Sequence, residues 1–453
     1  MKILNSNSKN FYSELDKIIN KRKVINKSNL KTVEKIINDV RKHKDSALIK
    51  YERKFNNNSK IIPSKKEIAE AIKLLDPSVK RAIDDTYKRV KDWHLKQKPK
   101  DIYYKDKLGN KFHYKNKAIR SVACYVPGNL PSTLIMCATP AIVAGVKRIV
   151  LCTPKLNGKL NGAVYYAASI LGIKESYNLG GASAIMALAM GTPKVKSVNK
   201  IVGPGSSWVA LAKKLVFLEG LCGIESMNAG PSEIICWADS STSPDIVASS
   251  MLAQSEHDPE SMAILLTKDK NLIKKVELSI TNQIKDLPRK EIAKKSLKAN
   301  GALIYASSDK KIVSIINYIA PEHIEILNKN YKKYLNDITE AGSICIGAYS
   351  SMALSDYGPT QHTLPTSGSA KFSSGLGVKE FIKQISYNEL SKKGVAKLGK
   401  SGYLLATLEN LIGHSRSIKK KNGEKINCQK KKMFLSLKGK FQTYFPTPCF
   451  AFY

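Results

Sequence analysis

The chain has 453 residues, 43% of them hydrophobic, and a formal net charge of +38. That length exceeds a single ordinary core and implies roughly two or three domains, while the composition excludes a fibrous or low-complexity protein. The basic excess is mostly lysine spread along the whole chain, the pattern of a solvated surface rather than of a groove that forks onto phosphate, so no nucleic-acid partner is expected.

Helical spacing runs over residues 11–23, 30–55 and 65–97, the last broken at Asp76-Pro77. Val33, Ile36, Ile37 and Val40 recur at three and four, as an amphipathic helix requires. Residues 102–126 read as strands around the turn Leu108-Gly109-Asn110. The apolar run 132–146 is interrupted by Pro140 and is too short for a membrane span. From there helix and strand alternate: helix 134–146, strand 148–152, helix 164–171, strand 176–179, helix 184–189 and strand 200–202. After Gly203-Pro204-Gly205 come helix 208–217 and strand 233–238. The alternation resumes with helix 246–256, strand 262–267, helix 272–284 and strand 303–306, and the chain becomes helical again beyond Leu376.

Strands alternating with helices argue for parallel sheets. The expected fold class is α/β, with two doubly wound, Rossmann-like α/β domains and helical N- and C-terminal extensions. The boundaries read as an N-terminal helical segment at 1–20 and a first α/β domain built from 21–124 and 232–376. A second α/β domain at 125–231 interrupts the first. A helical domain at 377–418 and a basic, aromatic-rich tail at 419–453, an extension without regular structure, follow. The amino terminus lacks the apolar stretch of a secretory signal. The eight cysteines form no C-x-x-C pair and six lie in apolar runs, as free thiols in a reducing compartment do. A cytoplasmic protein with no membrane partner is expected.

Four segments carry chemistry. Ser243-Pro244 starts a helix, with a capping hydroxyl and then proline at the first helical position; Pro259 ends it near His257. Gln254 and His257 then share one face of the last turn, either as two ligands for one cation or with His257 as a C-terminal capping charge. Glu322-His323 lies on a helix-to-strand junction at a sheet edge, where α/β proteins place ligands. An imidazole there is a natural base and the carboxylate can activate water, although such a pair in a loop can equally be solvated. Asp356 and His362 sit in an irregular Gly/Pro loop. His414 follows Gly413 near the end of the last helical pattern, as a ligand or as a C-cap charge. Four of the seven histidines fall in these segments, and imidazole, carboxylate and amide donors together suit Zn²⁺.

In this order the motifs resemble the histidinol dehydrogenase family. The strings are G-G-A-S-A-I-M-A-L-A-M-G-T from Gly180, K-I-V-G-P-G from Lys200, A-G-P-S-E from Ala229 and L-A-Q-S-E-H-D-P from Leu252. A-P-E-H-I-E, A-G-S-I-C-I-G, H-T-L-P-T and the Glu409–His414 segment follow. The resemblance implies Zn²⁺ held by Gln254, His257, Asp356 and His414, the last supplied by the partner chain of a homodimer through the 377–418 domain. It implies His323 as general base, Glu322 as the group that activates water, and NAD as hydride acceptor. L-Histidinol would be oxidised to L-histidine through the aldehyde, the substrate contacting Ser232, His362 and Glu409 beside the metal set and His323. Tyr125, Ser183 and Ser206 match cofactor positions, but Ser183 replaces a glutamine and Ser206 an asparagine of the family pattern, and the loop after Tyr125 is shortened. Serine cannot offer an amide's paired donor and acceptor. Two other readings stand beside this one: a paralogous NAD-dependent dehydrogenase for another small hydroxylated substrate, and a zinc-binding homologue that has lost dinucleotide binding.

Overall fold

The computed structural model describes residues 1–23, 27–226 and 230–423. The chain divides into two compact units, one of residues 1–98 and 118–382, the other of residues 99–117 and 383–453. Its strands, in chain order, are β1 (Lys2–Asn5), β2 (Ile102–Lys105), β3 (Lys111–Ala118), β4 (Ser121–Tyr125), β5 (Arg148–Cys152), β6 (Glu175–Tyr177) and β7 (Lys200–Val202). There follow β8 (Gly223–Ile224), β9 (Glu233–Ala238), β10 (Met262–Thr267), β11 (Ala302–Tyr305), β12 (His323–Leu327), β13 (Ser343–Ile346) and β14 (Ile382–Glu389).

The larger unit holds two parallel sheets. One has the order β6-β5-β4-β7-β8 and the other β1-β11-β10-β9-β12-β13. In each, the first strand of the motif lies in the middle and the chain winds outward first to one side and then to the other, which is the doubly wound order. The strands bury both faces. Ala123 and Tyr125 point into one core with the helices Lys27–Asn56, Gly181–Met190 and Ser207–Leu218, while Val122 and Cys124 point into another with Pro77–Leu95, Pro131–Ala144 and Gly162–Ile170. In the six-stranded sheet Ile235 and Trp237 face Phe11–Ile19 and Asp309–Ile319; Ile234 and Cys236 face Pro244–Ser255, Lys270–Gln283 and Lys290–Asn300. A strand covered on both sides reads as a continuous apolar run, which is why β5, β7, β9 and β10 coincide with the sequence reading to the residue.

The differences have physical causes. Residues 21–124, expected in the split domain, pack elsewhere: their helices share the core of the five-stranded sheet and β4 is its central strand. Amphipathic spacing shows that a helix has a buried face, not which sheet buries it. Lys2–Asn5, inside the expected N-terminal helical segment, adds a parallel edge strand to β11. Residues 382–389, inside the expected helical domain 377–418, form β14, which pairs with β3 in a three-stranded sheet of the smaller unit. Seven of its eight residues are exposed, so it carries no core pattern to announce it. The helices Lys392–Leu408 and Ile412–Lys421 complete that unit. The first residues of the expected tail continue the second of these helices, and 424–453 lie outside the described residues. Among the described residues no helix is long and apolar enough to cross a membrane.

Candidate active site

The amino ends of β9 and β12 form one corner of the six-stranded sheet, where His323 is in register with Ile234. Glu233, Glu322 and His323 are all buried there. The Glu233 N–H donates to Glu322 Oε2 at 2.9 Å, and the Glu322 N–H donates back to Glu233 Oε2 at 3.3 Å. Ser367 N–H donates to Glu233 Oε1 at 2.8 Å. His323 Nδ1 lies 3.1 Å from the Glu233 carbonyl oxygen and 3.5 Å from Glu322 Oε2. A carbonyl can only accept, so Nδ1 carries the proton and, in the neutral ring, Nε2 holds the lone pair. Nε2 is buried with no hydrogen-bond partner. Burial works against charging this imidazole, but the Glu322 carboxylate, with Asp356 behind it, outweighs burial and holds the pKa above its ordinary value.

This corner is the amino edge of the sheet, opposite to the edge that open α/β sheets generally use. A helix that follows a parallel strand runs back antiparallel to it, so Pro244–Ser255 brings its C-terminus to the same edge. Its start is as expected, with Ser243 Oγ accepting from Asp245 N–H at 3.3 Å and proline in the first turn. It ends at Ser255, two residues before the stop near His257 that Pro259 suggests, so Gln254 is in the last turn and His257 just beyond, exposed. Gln254 is 1% exposed and its Oε1 has no hydrogen-bond partner. The helix packs against the short helix Met352–Ser355, whose C-cap is Asp356. Burial raises the Asp356 pKa, partly offset by His362, His323 and His257.

His362 joins the two sheets of the unit. Its Nδ1 donates to the Asp356 carbonyl at 3.0 Å, and Nε2 lies 3.4 Å from Thr133 Oγ1, in the helix that follows β4. With both nitrogens engaged and burial pushing its pKa down, it is a neutral bridge. Gln361 Nε2 donates to the Met136 carbonyl alongside. The carboxyl edge of β4 is thus tied to the loop after Asp356. Ser232 precedes β9 at the same corner, half-buried.

The expected cofactor residues lie along the carboxyl edge of the five-stranded sheet. Its winding reverses between β4 and β7, the point where doubly wound sheets bind ligands. Tyr125 ends β4, and Gly203, with φ +117°, follows β7 so closely that a Cβ there would sit 2.1 Å from the Tyr125 carbonyl oxygen. Tyr125 is buried, its hydroxyl accepting from Gly181 N–H at 3.1 Å. Ser183 is buried too, its hydroxyl donating to the Gly180 carbonyl at 3.1 Å, so it is turned into its own helix. Ser206 is exposed and makes no side-chain cap bond to the helix it precedes. Open space lies in front of Gly181.

The donors fit a zinc ion. A buried amide oxygen without a partner, a carboxylate and an imidazole that act on one another come from one corner, and the chemistry suits a borderline cation. Among the described residues no three His, Cys, Asp or Glu side chains are grouped closely enough to hold a metal. One donor of the set is the amide of Gln254, and His414, exposed in Ile412–Lys421, belongs to the smaller unit together with the exposed Glu409. Two residues of the corner escaped the sequence reading although both lie in quoted motifs. Glu233 ends A-G-P-S-E, whose first residue is outside the described ones. Glu325 ends A-P-E-H-I-E; it is buried and accepts from Met352 N–H at 2.6 Å. The signal was present in both cases: a carboxylate at the start of, or inside, an otherwise apolar strand needs a partner.

Two doubly wound parallel sheets, with a buried carboxylate–imidazole pair at the amino corner of one of them, define an α/β protein with a candidate acid–base site. The profile of the histidinol dehydrogenase family matches residues 19–422. The histidinol dehydrogenase of Pelagibacter ubique is 52% identical over 425 residues, covering 93% of this chain and 99% of the relative; that of Nitrosomonas europaea is 38% identical, covering 91% and 97%. The crystal structure of histidinol dehydrogenase from Elizabethkingia anophelis superposes with a TM-score of 0.86 at 34% identity, covering 93% of this chain and 98% of that one. The chain belongs to the histidinol dehydrogenase family, a family of oxidoreductases that act on a small alcohol or aldehyde.

Proposed function

We propose that the protein is a zinc- and NAD-dependent histidinol dehydrogenase of histidine biosynthesis, oxidising L-histidinol to L-histidine through the aldehyde as a cytoplasmic homodimer with shared active sites. The observation that carries this reading is the state of His323: Nδ1 is fixed on the Glu233 carbonyl, and Nε2 is buried, basic and without a partner.

His323 Nε2 takes the hydroxyl proton of the substrate and, with its pKa raised by Glu322, can hold it. Glu322, anchored by the Glu233 amide, takes a proton from water at the aldehyde stage and so directs the oxygen that becomes the product carboxylate. Gln254, His257, Asp356 and the partner's His414 would hold Zn²⁺, which supplies orientation of the substrate's imidazole and amine rather than ionisation of water. Ser232 and the partner's Glu409 complete the substrate's surroundings, and His362 braces the Asp356 loop. NAD⁺, which would be held at the β4/β7 switch point, would supply a hydride acceptor in each of the two oxidations. Tyr125 and Ser206 border its place, and Ser183 supports the Gly180 turn from inside.

NAD⁺ reduction driven by histidinol, followed with and without chelator in the wild type and in His323→Ala, tests this. The expected outcome is loss of turnover on chelation and a fall of about 10²–10⁴-fold in the variant. Turnover that survives both changes would sink the mechanism. Activity only with other alcohols would indicate a paralogous dehydrogenase, and zinc binding without NAD⁺ binding a homologue that has lost the dinucleotide.

A further inference from the structure

The carboxyl edge of the five-stranded sheet contains a buried ion pair that the proposed chemistry does not use. Lys213, in the helix Ser207–Leu218, is 2% exposed, and its ammonium donates both to the Gly203 carbonyl and to the Glu225 carboxylate. Glu225 is buried as well, and its second oxygen has no hydrogen-bond partner. Lysine is almost never fully buried unless paired. An apolar pair of similar volume generally stabilises such a position as well or better, so helix–sheet packing does not account for the choice of residue.

What an ammonium does and a methyl group cannot is grip a carbonyl oxygen. The carbonyl gripped here belongs to Gly203, whose positive φ and close approach to Tyr125 start the turn Gly203-Pro204-Gly205-Ser206 at the switch point. The turn on the other side is held by the opposite charge. Glu52, 1% exposed on the helix Lys27–Asn56, accepts from Gly180 N–H at 2.7 Å, while the Tyr125 hydroxyl accepts from Gly181 N–H. Two buried charges, one on a carbonyl and one on an amide, therefore fix the two turns that flank Tyr125. With the Gly180 and Gly181 amides engaged, the helix starts without a side-chain cap on either side of the switch point are those behind Leu130 and Ser206, and the second lies in the turn that Lys213 holds.

We propose that Lys213, with Glu225 as its counter-charge, is a positioning residue for the dinucleotide, setting the Gly203–Ser206 turn in the conformation that receives the cofactor. This rests on the reading that NAD⁺ binds at the β4/β7 switch point. Lys213 acts through the Gly203 backbone and touches neither cofactor nor substrate.

Lys213→Met and the double variant Lys213→Met/Glu225→Met test it, with three readouts on the full-length protein: the unfolding midpoint, NAD⁺ affinity by titration calorimetry, and the separate KM values for NAD⁺ and histidinol. The single variant leaves a buried carboxylate uncompensated and lowers the midpoint; the double variant buries no charge and regains it. Both should bind NAD⁺ roughly tenfold more weakly, the worth of one hydrogen bond to a charged group, with the KM for histidinol unchanged. A double variant that recovers wild-type NAD⁺ affinity together with its midpoint overturns the proposal, since the pair would then serve folding alone. A wild type with no NAD⁺ binding overturns the cofactor reading itself, a result distinct from wild-type binding that the variants leave intact.

Discussion

Glu325 lies between Ile324 and Ile326 in a strand that is buried throughout, and it is itself 2% exposed. Burial raises its pKa, opposed by the Met352 N–H and the Ser250 side chain. Its bond to Met352 N–H fixes the first turn of the short helix whose last residue leads into Asp356. In Glu325→Leu that amide would be buried without an acceptor, at a cost of about 1–3 kcal/mol. Because the helix positions a proposed zinc ligand, metal affinity should fall by roughly 10–100-fold, as when other outer-shell partners are lost. Denaturant unfolding of the apoprotein and competition with a chromophoric chelator measure the two effects separately. Unchanged zinc affinity would remove Glu325 from the support of Asp356. Single residues also mark where the sequence stops being legible. Glu322 and His323 can be singled out because they adjoin in the chain. Glu233 meets them only because β9 and β12 are neighbours, and the bond between Glu233 and Glu322 spans 89 residues of sequence. Without the strand order, a lone glutamate has no visible partner.

The helix Lys65–Lys73 buries none of its residues fully, so its ends matter more than its face. Ser64 and Glu67 form a capping box: the serine hydroxyl accepts from Glu67 N–H, and the glutamate accepts from Ser64 N–H at 2.7 Å. Ser64→Ala should cost about 1 kcal/mol at neutral pH. The contribution depends on pH in a definite sense. Lys60, then the Ser64 backbone and hydroxyl, lower the Glu67 pKa from 4.5 to about 2. A group whose folded-state pKa lies below its unfolded one stabilises the fold fully above the higher value and loses that contribution as acid titrates it. The gap between wild type and Ser64→Ala, read from urea midpoints, should therefore be full at pH 7 and shrink between about pH 4.5 and pH 2; a gap that widened in acid would contradict the assignment. The same dependence on surroundings decides which elements can be read from sequence. β9 and β10 are buried at every position and stand out as apolar runs between polar turns. β14 and the edge strand β1 do not, because solvent covers much of one and half the positions of the other. The helix Lys290–Asn300 also escaped, its four buried positions diluted by lysines.

At the scale of the molecule, seven of the proposed metal, catalytic and substrate residues (Ser232, Gln254, His257, Glu322, His323, Asp356 and His362) belong to one compact unit, while His414 and Glu409 belong to the other. The smaller unit exposes Leu398, Leu404, Leu405, Leu408 and Leu411, in the sequence that leads up to and follows Glu409, and apolar side chains that form a contiguous patch are usually covered by a partner. A second copy of the chain that covered it could also receive His414 into its own zinc set. Sequence motifs identify the donors without saying which chain each comes from, since a motif carries no record of assembly. Complementation can decide. Gln254→Ala and His414→Ala should each be inactive alone. In a mixed dimer with donors shared between chains, one site has intact Gln254 from one protomer and intact His414 from the other, and the second site carries both lesions. Equal amounts of the two variants, unfolded together and refolded, give mixed dimers in half the population. The sample should then recover about a quarter of wild-type activity, the share expected for random pairing in a two-fold dimer. If each chain completed its own site, every site in the mixture would keep a lesion and no activity would return.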